Sequence, residues 1–274
     1  MSRKSGNRFS GKDMRRLEKS GAHPDSIQSG DAPASVRPKS RLPLAFSVPK
    51  GEDLRNEDSY HRSAKGVYAL SDGASVSFDS ASWSRILVRR FTRDPEFTRE
   101  WLSAAMAEFR TLYDRDRLSW VQQASFDKGS FASLLGVRVV DGGRLIQVLS
   151  IGDSLAVLCD GDCIKSTFRL AAASEFNRSP QLLCTNPAEN VFLDELDVGY
   201  DLVADWTFRG LRQPALLCMT DALGHWLLSQ RDCDPSPISV LRKMRTPKAF
   251  ARFVQEERTA GRMKRDDTTL IALW

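Results

Sequence analysis

The chain has 274 residues, which is enough for one large domain or two small ones. Hydrophobic residues make up 41% and charged residues 27%, a balance typical of a globular protein with an apolar core. The formal net charge of +5 is too diffuse to indicate nucleic-acid binding by itself, and no apolar run approaches the roughly 18 residues that a membrane span needs.

Residues 1–40 form the first predicted segment, a basic, disordered tail. Gly, Ser, Pro, Lys and Arg dominate it, and large apolar side chains are few. Such a composition cannot bury enough apolar surface to offset the entropy of ordering. The segment also lacks the apolar stretch of a secretory signal, so we expect a solvated tail on a protein that is not secreted.

Apolar segments begin at Leu42. The stretch "LPLAFSVPKG" predicts a first strand, and "DSYHRSAKGVYALSDG" predicts two short strands joined by a turn near Lys65-Gly66. Helical spacing of apolar residues then predicts one helix over about 79–91 and a second from Pro95 to about Ala124. The aromatic stripe of the second helix is interpreted as core packing.

The second half of the chain begins with a block of strands. "SFASLLGVRVV" and "RLIQVLSIGDSLAVLCDGDCIKSTF" predict three or four strands, with "DGG" and "GDS" as hairpin turns. Residues 171–200 have no regular pattern. A buried strand in "PALLCMTDAL", three helices and a last strand in "TTLIALW" follow. Strands and helices in blocks, without strict alternation, predict an α+β fold built around antiparallel sheets.

Several carboxylates stand where a predicted strand begins or ends. They are Asp58, Asp72, Asp153, Asp221 and Asp266. A single Asp-Gly pair, such as the one at 72–73, favours a plain turn. Several carboxylates brought together repel one another unless a counter-ion is present. Mg²⁺ and Mn²⁺ prefer oxygen ligands, and a pair of such ions can activate water and polarise a phosphoryl group.

Other catalytic classes lack their motifs. The chain has only three histidines and no H-E-x-x-H, which argues against a histidine-based zinc hydrolase. It also contains neither the phosphate-binding loop G-x-x-x-x-G-K-[ST] nor the nucleophile elbow G-x-S-x-G.

The order of the acidic motifs resembles that of the metal-dependent type 2C protein phosphatases, the PPM superfamily, in its bacterial branch. The matching stretches are "NEDSY" (56–60), "LSDGAS" (70–75), "GSFASLLGVRV" (129–139), "SIGDSLAVL" (150–158), "CMTDAL" (218–223) and "RDDTTLIAL" (265–273). The resemblance implies a four-layer αββα sandwich, with two antiparallel β-sheets flanked by helices. It also implies that residues 41–274 form the catalytic domain and residues 1–40 a separate tail.

The resemblance further implies a site for two Mn²⁺ or Mg²⁺ ions. Asp72 would bridge the ions and the Gly73 carbonyl would bind one of them, while Asp221 and Asp266 would hold the second. Asp58, Asp72 and Asp221 would be the central catalytic residues. The reaction would be hydrolysis of a phosphomonoester by a water that the dinuclear site activates, without a phosphoenzyme.

Two further acidic positions, Glu57 and Asp153, complete the implied set. Glu57 and Asp58 would act mainly through metal-bound waters, and Asp153 matches a position linked to a third, weaker metal site. The expected partners are a phosphorylated protein substrate and a cognate serine/threonine kinase, with no membrane partner.

The motifs depart from the family at the substrate side. The family carries a phosphate-binding arginine five residues before the "NED" aspartate, where this chain has Asp53. Lys50, Arg55 or Arg62 could substitute, although each is also explained as an ordinary surface charge.

Three small departures lie around the expected metal ligands. Ala74 stands where eukaryotic members carry a histidine, so water or another group would protonate the leaving alkoxide. Ala222 replaces the usual glycine after Asp221. His225 stands where the family often has a carboxylate. It is interpreted as a packed or surface histidine in preference to a metal ligand.

Three other functions stay open. The missing arginine suggests a catalytically weak or inactive pseudophosphatase that binds phosphoproteins or a partner. A phosphohydrolase of small molecules would use the same metal chemistry. The basic tail leaves nucleic-acid binding as a weaker third alternative.

The five cysteines bear on location. Their number is odd and their spacing irregular: Cys159, Cys163, Cys184, Cys218 and Cys233. That pattern favours reduced thiols in the cytoplasm over a disulfide framework. A zinc site at Cys159 and Cys163 is not predicted, because no second Cys/His pair stands at ligand spacing.

Overall fold

The computed structural model describes residues 43–274, so the tail predicted for residues 1–40 lies outside the described part of the chain. The strands are β1 Leu44–Val48, β2 Ser59–Arg62, β3 Val67–Ser71, β4 Phe131–Ala132, β5 Leu134–Val140, β6 Leu145–Ile151, β7 Leu155–Asp160, β8 Cys163–Phe168, β9 Leu183–Cys184, β10 Val203–Trp206, β11 Pro214–Met219 and β12 Thr268–Leu273. The α-helices are α1 Ser80–Arg93, α2 Arg99–Arg110, α3 Trp120–Lys128, α4 Val198–Asp201, α5 Asp221–Ser229, α6 Pro237–Arg242 and α7 Pro247–Thr259.

Two five-stranded sheets form the centre of the structure. The first has the strand order β1-β12-β11-β7-β8 and the second the order β10-β6-β5-β3-β2. Every pairing within them is antiparallel. The short strands β4 and β9 form a separate two-stranded pair. The predicted antiparallel sheets are therefore confirmed.

An apolar layer joins the two sheets face to face. It contains Leu70, Leu135 and Val148 from the second sheet, and Leu216 and Ile271 from the first. Because side chains alternate across a strand, the intervening residues of each strand point to the opposite face. Both faces of central strands such as β3 and β11 are thus buried, which explains why "PALLCM" is apolar at every position.

Helices cover the two outer faces. The helices α5, α6 and α7 pack on the first sheet through residues such as Trp226, Leu241 and Phe250. The helices α1 and α2 pack on the second sheet through Trp83 and Phe109. The four-layer αββα sandwich is confirmed. Among residues 43–274, no helix combines the length and apolar character that crossing a membrane requires.

The helix predicted from Pro95 to about Ala124 is wrong as one element. The chain forms α2 up to Arg110, a short 3₁₀ turn at Arg115–Arg117, and then α3 from Trp120. A capping box explains the restart: the Ser119 hydroxyl accepts from the backbone N–H of Gln122, whose side chain accepts from the backbone N–H of Ser119. The periodicity of apolar residues predicted one continuous helix, whereas the capping box at Ser119 starts a new one.

The hairpin predicted at "GDS" is also wrong. The flanking strands β6 and β7 belong to different sheets, so residues 152–154 cross from one sheet to the other. Gly152 has φ 99°, a conformation that favours glycine, and a Cβ there would lie 2.7 Å from Ser133 Cβ. This crossing carries Asp153 to the shared end of both sheets.

The Asp-Gly turn expected at 72–73 is absent. Asp72 follows β3 directly, and Gly73 forms an isolated antiparallel bridge with Ala132. The turn comes later, over 75–79. Glycine is required at 73 because a Cβ would lie 2.9 Å from the carbonyl oxygens of Glu57 and Ser80. Close packing, and not turn geometry, explains this glycine.

Candidate metal centre

Five aspartates lie where elements of the two sheets begin or end. Asp58 precedes β2, Asp72 follows β3, and Asp153 lies between β6 and β7. Asp221 is the first residue of α5, immediately after β11 and Thr220, and Asp266 precedes β12. Because these elements are neighbours in the two packed sheets, their ends share one edge of the sandwich.

Asp72 is at the centre of this group. Burial raises the pKa of its carboxyl well above the ordinary value, and the charges of Asp58, Asp221, Asp153 and Asp266 raise it further. All four aspartates therefore lie within electrostatic reach of Asp72. The convergence predicted for the strand-end carboxylates is seen in the structure, although their roles as metal ligands stay a prediction.

The neighbouring carboxyls share this behaviour. Burial, followed by the charge of Asp221, raises the pKa of Asp153 to about 6. Burial raises the pKa of Asp58 well above its ordinary value, and burial with the charge of Asp266 raises that of Asp221. Without a counter-ion, the group keeps protons that isolated carboxyls would lose.

Two oxygen atoms in the group lack hydrogen-bond partners. Asp58 Oδ1 and Asp221 Oδ1 are buried and unpaired within the described residues. A buried acceptor without a partner is unfavourable, and a cation would satisfy both atoms. The donors are all oxygen, which suits Mg²⁺ or Mn²⁺ and does not suit a thiolate-seeking metal.

The group is not a closed coordination shell. Within residues 43–274, no three His, Cys, Asp or Glu side chains form a set able to hold a metal ion as they stand. This arrangement still fits Mg²⁺, which retains several waters and commonly takes only one or two carboxylates from the protein. The residues therefore fit a water-rich divalent site and not a fully protein-enclosed one.

Hydroxyl groups behind the carboxylates fix their positions. Thr220 Oγ1 donates to Asp58 Oδ2 at 3.0 Å and accepts from the backbone N–H of Thr269 at 3.0 Å. Ser133 Oγ accepts from the backbone N–H of Asp72 at 3.0 Å and bonds Ser154 Oγ at 2.8 Å. These hydroxyl residues were not predicted from the sequence, although each stands beside or within a matched motif.

Glu57 takes part in a different network. Its carboxylate accepts from Lys50 Nζ, from Ser75 Oγ at 2.6 Å and from Ser80 Oγ at 2.7 Å. Burial raises the pKa of Glu57, but these partners, led by Lys50, hold it below its ordinary value. As positioned, Glu57 is occupied by protein donors. Its predicted contact through metal-bound water stays untested.

The predicted substrate-binding arginines are engaged elsewhere. Arg55 pairs with Asp79 at 2.7 Å and donates to Ser82 Oγ at 3.1 Å. Arg62 donates to the backbone carbonyl of Pro43 at 3.0 Å. Neither arginine contacts the five-aspartate group, so neither is positioned as it stands to bind a substrate phosphate there.

Asp267 is a buried neighbour of the group that was not predicted from the sequence. Its two carboxylate oxygens accept from the backbone N–H groups of Lys50 at 2.7 Å and Glu57 at 2.6 Å. It therefore joins the start of β12 to the loop that carries Glu57 and Asp58. The doubled aspartate in "RDDTT" was the available signal, but it does not show which carboxylate faces which way.

Two cations near the group were also missed. Arg258 of α7 donates to the carbonyls of Pro49 and Asp266 and to Thr268 Oγ1. Lys264 Nζ lies 3.8 Å from Asp221 Oδ2. The basic run "GRMKR" (261–265) immediately before Asp266 was the signal that could have drawn attention to Lys264.

His225 lies on α5, one turn after Asp221. Its ring packs edge-on against Phe176, with ring centroids 6.0 Å apart. Burial and the charge of Lys264 lower its pKa. The placement agrees with the interpretation of a packed histidine, and whether His225 binds a metal stays untested.

Comparisons with known proteins place this geometry in a fold class. No family model matches the chain, and no curated protein matches it in sequence. The structure is similar to the Mycobacterium tuberculosis serine/threonine phosphatase PstP/Ppp, with a TM-score of 0.56, 15% identity, and coverage of 84% of this chain and 97% of that one. It is also similar to the serine/threonine phosphatase Stp1 from Staphylococcus aureus, with a TM-score of 0.54, 12% identity, and coverage of 92% and 98%.

A further similar structure contains metal. The catalytic domain of the serine/threonine protein phosphatase PstP in complex with two manganese ions superposes with a TM-score of 0.51 and 15% identity, over 84% of this chain and 96% of that one. At these identities the likeness establishes the fold alone. The chain has the PPM phosphatase fold, as in the bacterial serine/threonine phosphatases, and the resemblance inferred from the motifs is confirmed at that level.

Proposed function

We propose that this protein is a metal-dependent protein serine/threonine phosphatase that hydrolyses phosphomonoesters with a water activated by two Mn²⁺ or Mg²⁺ ions. The observation that carries the proposal is the convergence of Asp58, Asp153, Asp221 and Asp266 on Asp72. The buried oxygens of Asp58 and Asp221 that lack hydrogen-bond partners support a bound cation, and the PPM fold supports phosphatase chemistry.

Each residue has a separate part in this proposal. Asp72, Asp221 and Asp266 would hold the ions with the Gly73 carbonyl, and Asp58 would orient bound water from the position that Thr220 fixes. When bound, the ions would polarise the phosphoryl oxygens and lower the pKa of the attacking water. Because the carboxyl pKa values are raised, metal binding would release protons from the site.

The test is metal-dependent hydrolysis of a phosphothreonine peptide. We expect wild-type activity with added Mn²⁺ and its loss with EDTA. Asp72→Asn should lower kcat/KM by at least about 100-fold, because loss of a residue that merely supports a metal ligand already costs up to about that much. The matched control is Asp205→Asn, because Asp205 is exposed on β10. Full metal-dependent activity in the Asp72→Asn protein would overturn the mechanism.

A second candidate is a weakly active or inactive relative that binds a phosphoprotein or another partner. The specific observation in its favour is that Arg55 and Arg62 are committed to Asp79 and Pro43, so the predicted phosphate ligands are not available. Absence of Mn²⁺ binding in calorimetry, together with phosphopeptide binding, would favour this candidate over the enzyme.

The setting that we propose follows from the same function. The substrate would be a phosphorylated protein, and a cognate serine/threonine kinase would supply it. A cytoplasmic location is proposed from the odd and irregular set of cysteines, all five of which are free thiols in the structure.

A further inference from the structure

Lys264 is a cation at the edge of the five-aspartate group. It lies between α7 and β12, two residues before Asp266. Its ammonium is 3.8 Å from Asp221 Oδ2, and 43% of its side chain is exposed. Its charge also acts on Asp153. Lys264 is therefore close to the candidate metal ligands and open to solvent at the same time.

The ammonium of Lys264 is not tied to Asp221 by a hydrogen bond. A separation of 3.8 Å exceeds the length of an N–H···O bond, which is at most about 3.2 Å. The Lys264 side chain is 43% exposed and that of Asp221 only 16%, and in the proposed metal-loaded site a divalent ion would supply the counter-charge that the Asp221 carboxylate needs. The N–H donors of Lys264 can therefore turn to another anion at low cost.

The other cations close to the site each make short donor contacts to protein groups. Lys50 donates to Glu57 and Ser75. Arg258 donates to two backbone carbonyls and one hydroxyl. The same holds for Arg55 and Arg62, whose partners lie away from the aspartates. Lys264 differs from all four in having an ion-pair partner but no short donor contact to it.

The backbone at Lys264 is anchored on both sides. Met263 is buried in the core beneath α5 and α7, with 4% exposure. Arg265 Nε donates to the carbonyl of Lys50 at 3.2 Å. These contacts fix the base of the Lys264 side chain, while its flexible stem lets the ammonium move over a distance of several ångströms.

The balance of positive and negative charge at the site favours an additional cation such as Lys264. When ionised, the five carboxylates around Asp72 and the neighbouring Asp267 carry more negative charge than two divalent ions and the Arg258 guanidinium together can neutralise. A phosphomonoester dianion would therefore meet a net negative site. One ammonium at the entrance offsets that excess and gives the phosphate a direct donor.

We propose that Lys264 binds the phosphate of the substrate, in place of the missing arginine, by exchanging its contact with Asp221 for a non-bridging phosphate oxygen. This inference rests on the proposed phosphatase function. It makes Lys264 a substrate-binding residue that sets affinity for phosphomonoesters and does not hold the metal.

The experiment compares wild-type protein with Lys264→Met and Lys264→Arg. A charged hydrogen bond contributes enough that its loss should raise KM for a phosphothreonine peptide by about 10- to 100-fold, with kcat changed by less than about threefold if ground state and transition state are bound alike. Lys264→Arg should recover most of the loss. The matched control is Lys165→Met, because Lys165 is an exposed lysine on β8.

Calorimetry supplies a readout independent of turnover. We expect inorganic phosphate to bind Mn²⁺-loaded Lys264→Met about 10- to 100-fold more weakly than wild type, while Mn²⁺ itself binds no more weakly. An unchanged KM and an unchanged phosphate affinity would overturn the inference. So would a loss of Mn²⁺ affinity, since it would place Lys264 among the supports of the metal site.

The same measurements separate this inference from the proposed function. An inactive wild-type protein that still binds phosphate through Lys264 would support the inference and contradict the phosphatase. An active wild-type protein whose KM is unchanged by Lys264→Met would support the phosphatase and contradict the inference about Lys264. Failure of Lys264→Met to fold, detected by circular dichroism, would leave the Lys264→Arg protein to decide: its phosphate affinity should stay within about threefold of wild type, and a larger loss would count against the inference.

Discussion

Thr220 Oγ1 donates a hydrogen bond of 3.0 Å to Asp58 Oδ2, joining residues 162 positions apart in the chain. The same hydroxyl accepts from the backbone N–H of Thr269. One side chain therefore connects the end of β11, the start of β12 and the carboxylate before β2. It leaves Asp58 Oδ1 as the unpartnered oxygen, the atom that faces a cation in the proposed site.

Replacing Thr220 by Val should weaken metal binding. The substitution keeps the shape but removes the donor to Asp58, and residues that orient metal ligands typically account for 10- to 100-fold in affinity. We expect calorimetry to show about that loss for Mn²⁺. Thr220→Ser restores the hydroxyl and is the control. Wild-type Mn²⁺ affinity in Thr220→Val would show that Asp58 needs no support from this side.

The adjacent Asp266 and Asp267 should separate function from stability. Asp267 is 2% exposed and accepts from two backbone N–H groups. Its replacement by Ala leaves both donors unpaired and should lower the free energy of unfolding by about 3 kcal/mol. The measurement is urea denaturation of the metal-free protein.

Asp266→Ala is the matched control for that measurement. Within the described residues 43–274, the Asp266 carboxylate accepts only from the backbone N–H of Asp267, at 2.9 Å, so its loss should cost less than about 1 kcal/mol. It should nevertheless abolish tight Mn²⁺ binding. Equal destabilisation by the two substitutions would contradict this division of roles.

The fold could be predicted from the sequence because its signals are local or ordered along the chain. Three such signals can be recognised without knowing any tertiary contact: the apolar strands, the proline at the start of α7 and the order of the acidic strand ends. The crossing at Asp153 could not be predicted, because "IGDS" has the same local composition in a hairpin as in a link between sheets. Only the partners of β6 and β7 distinguish the two.

The site was predictable in its anions and not in its cations or hydroxyls. Aspartates at strand ends stand out in a sequence. The pairing of Lys264 with Asp221, or of Thr220 with Asp58, depends on which elements meet. Arg55 and Arg62 show the converse: their nearness to the "NED" motif in sequence did not place them at the site, because Asp79 and Pro43 hold them elsewhere.

Gly73→Ala should destabilise the protein through packing and not through backbone strain. The new methyl group would lie 2.9 Å from the carbonyl oxygens of Glu57 and Ser80. Overpacking of this kind costs about 1–3 kcal/mol, and urea denaturation would measure it. The control is Gly199→Ala on α4, where the nearest atom is 3.4 Å away. A Gly73→Ala protein as stable as Gly199→Ala would refute the close-packing explanation.

The metal-free protein should become less stable as pH rises from about 5 to 7. Asp153 has an ordinary pKa near 3.8 and a folded-state pKa of about 6, so the folded state binds more protons across that interval. Stability then falls with rising pH. The raised pKa values of Asp58, Asp72 and Asp221 act in the same direction.

Two opposing contributions do not reverse this trend. The lowered pKa of His225 makes stability rise with pH near its ordinary value of 6.5, but it is one group against four. The lowered pKa of Glu57 acts only below its ordinary value of 4.5. Urea denaturation in EDTA at several pH values would measure the slope, and Asp153→Asn should flatten it. Added Mn²⁺ should remove the slope at pH 7, because the cation replaces the lost protons. Stability that increases from pH 5 to 7 without metal would contradict the carboxylate cluster as the source.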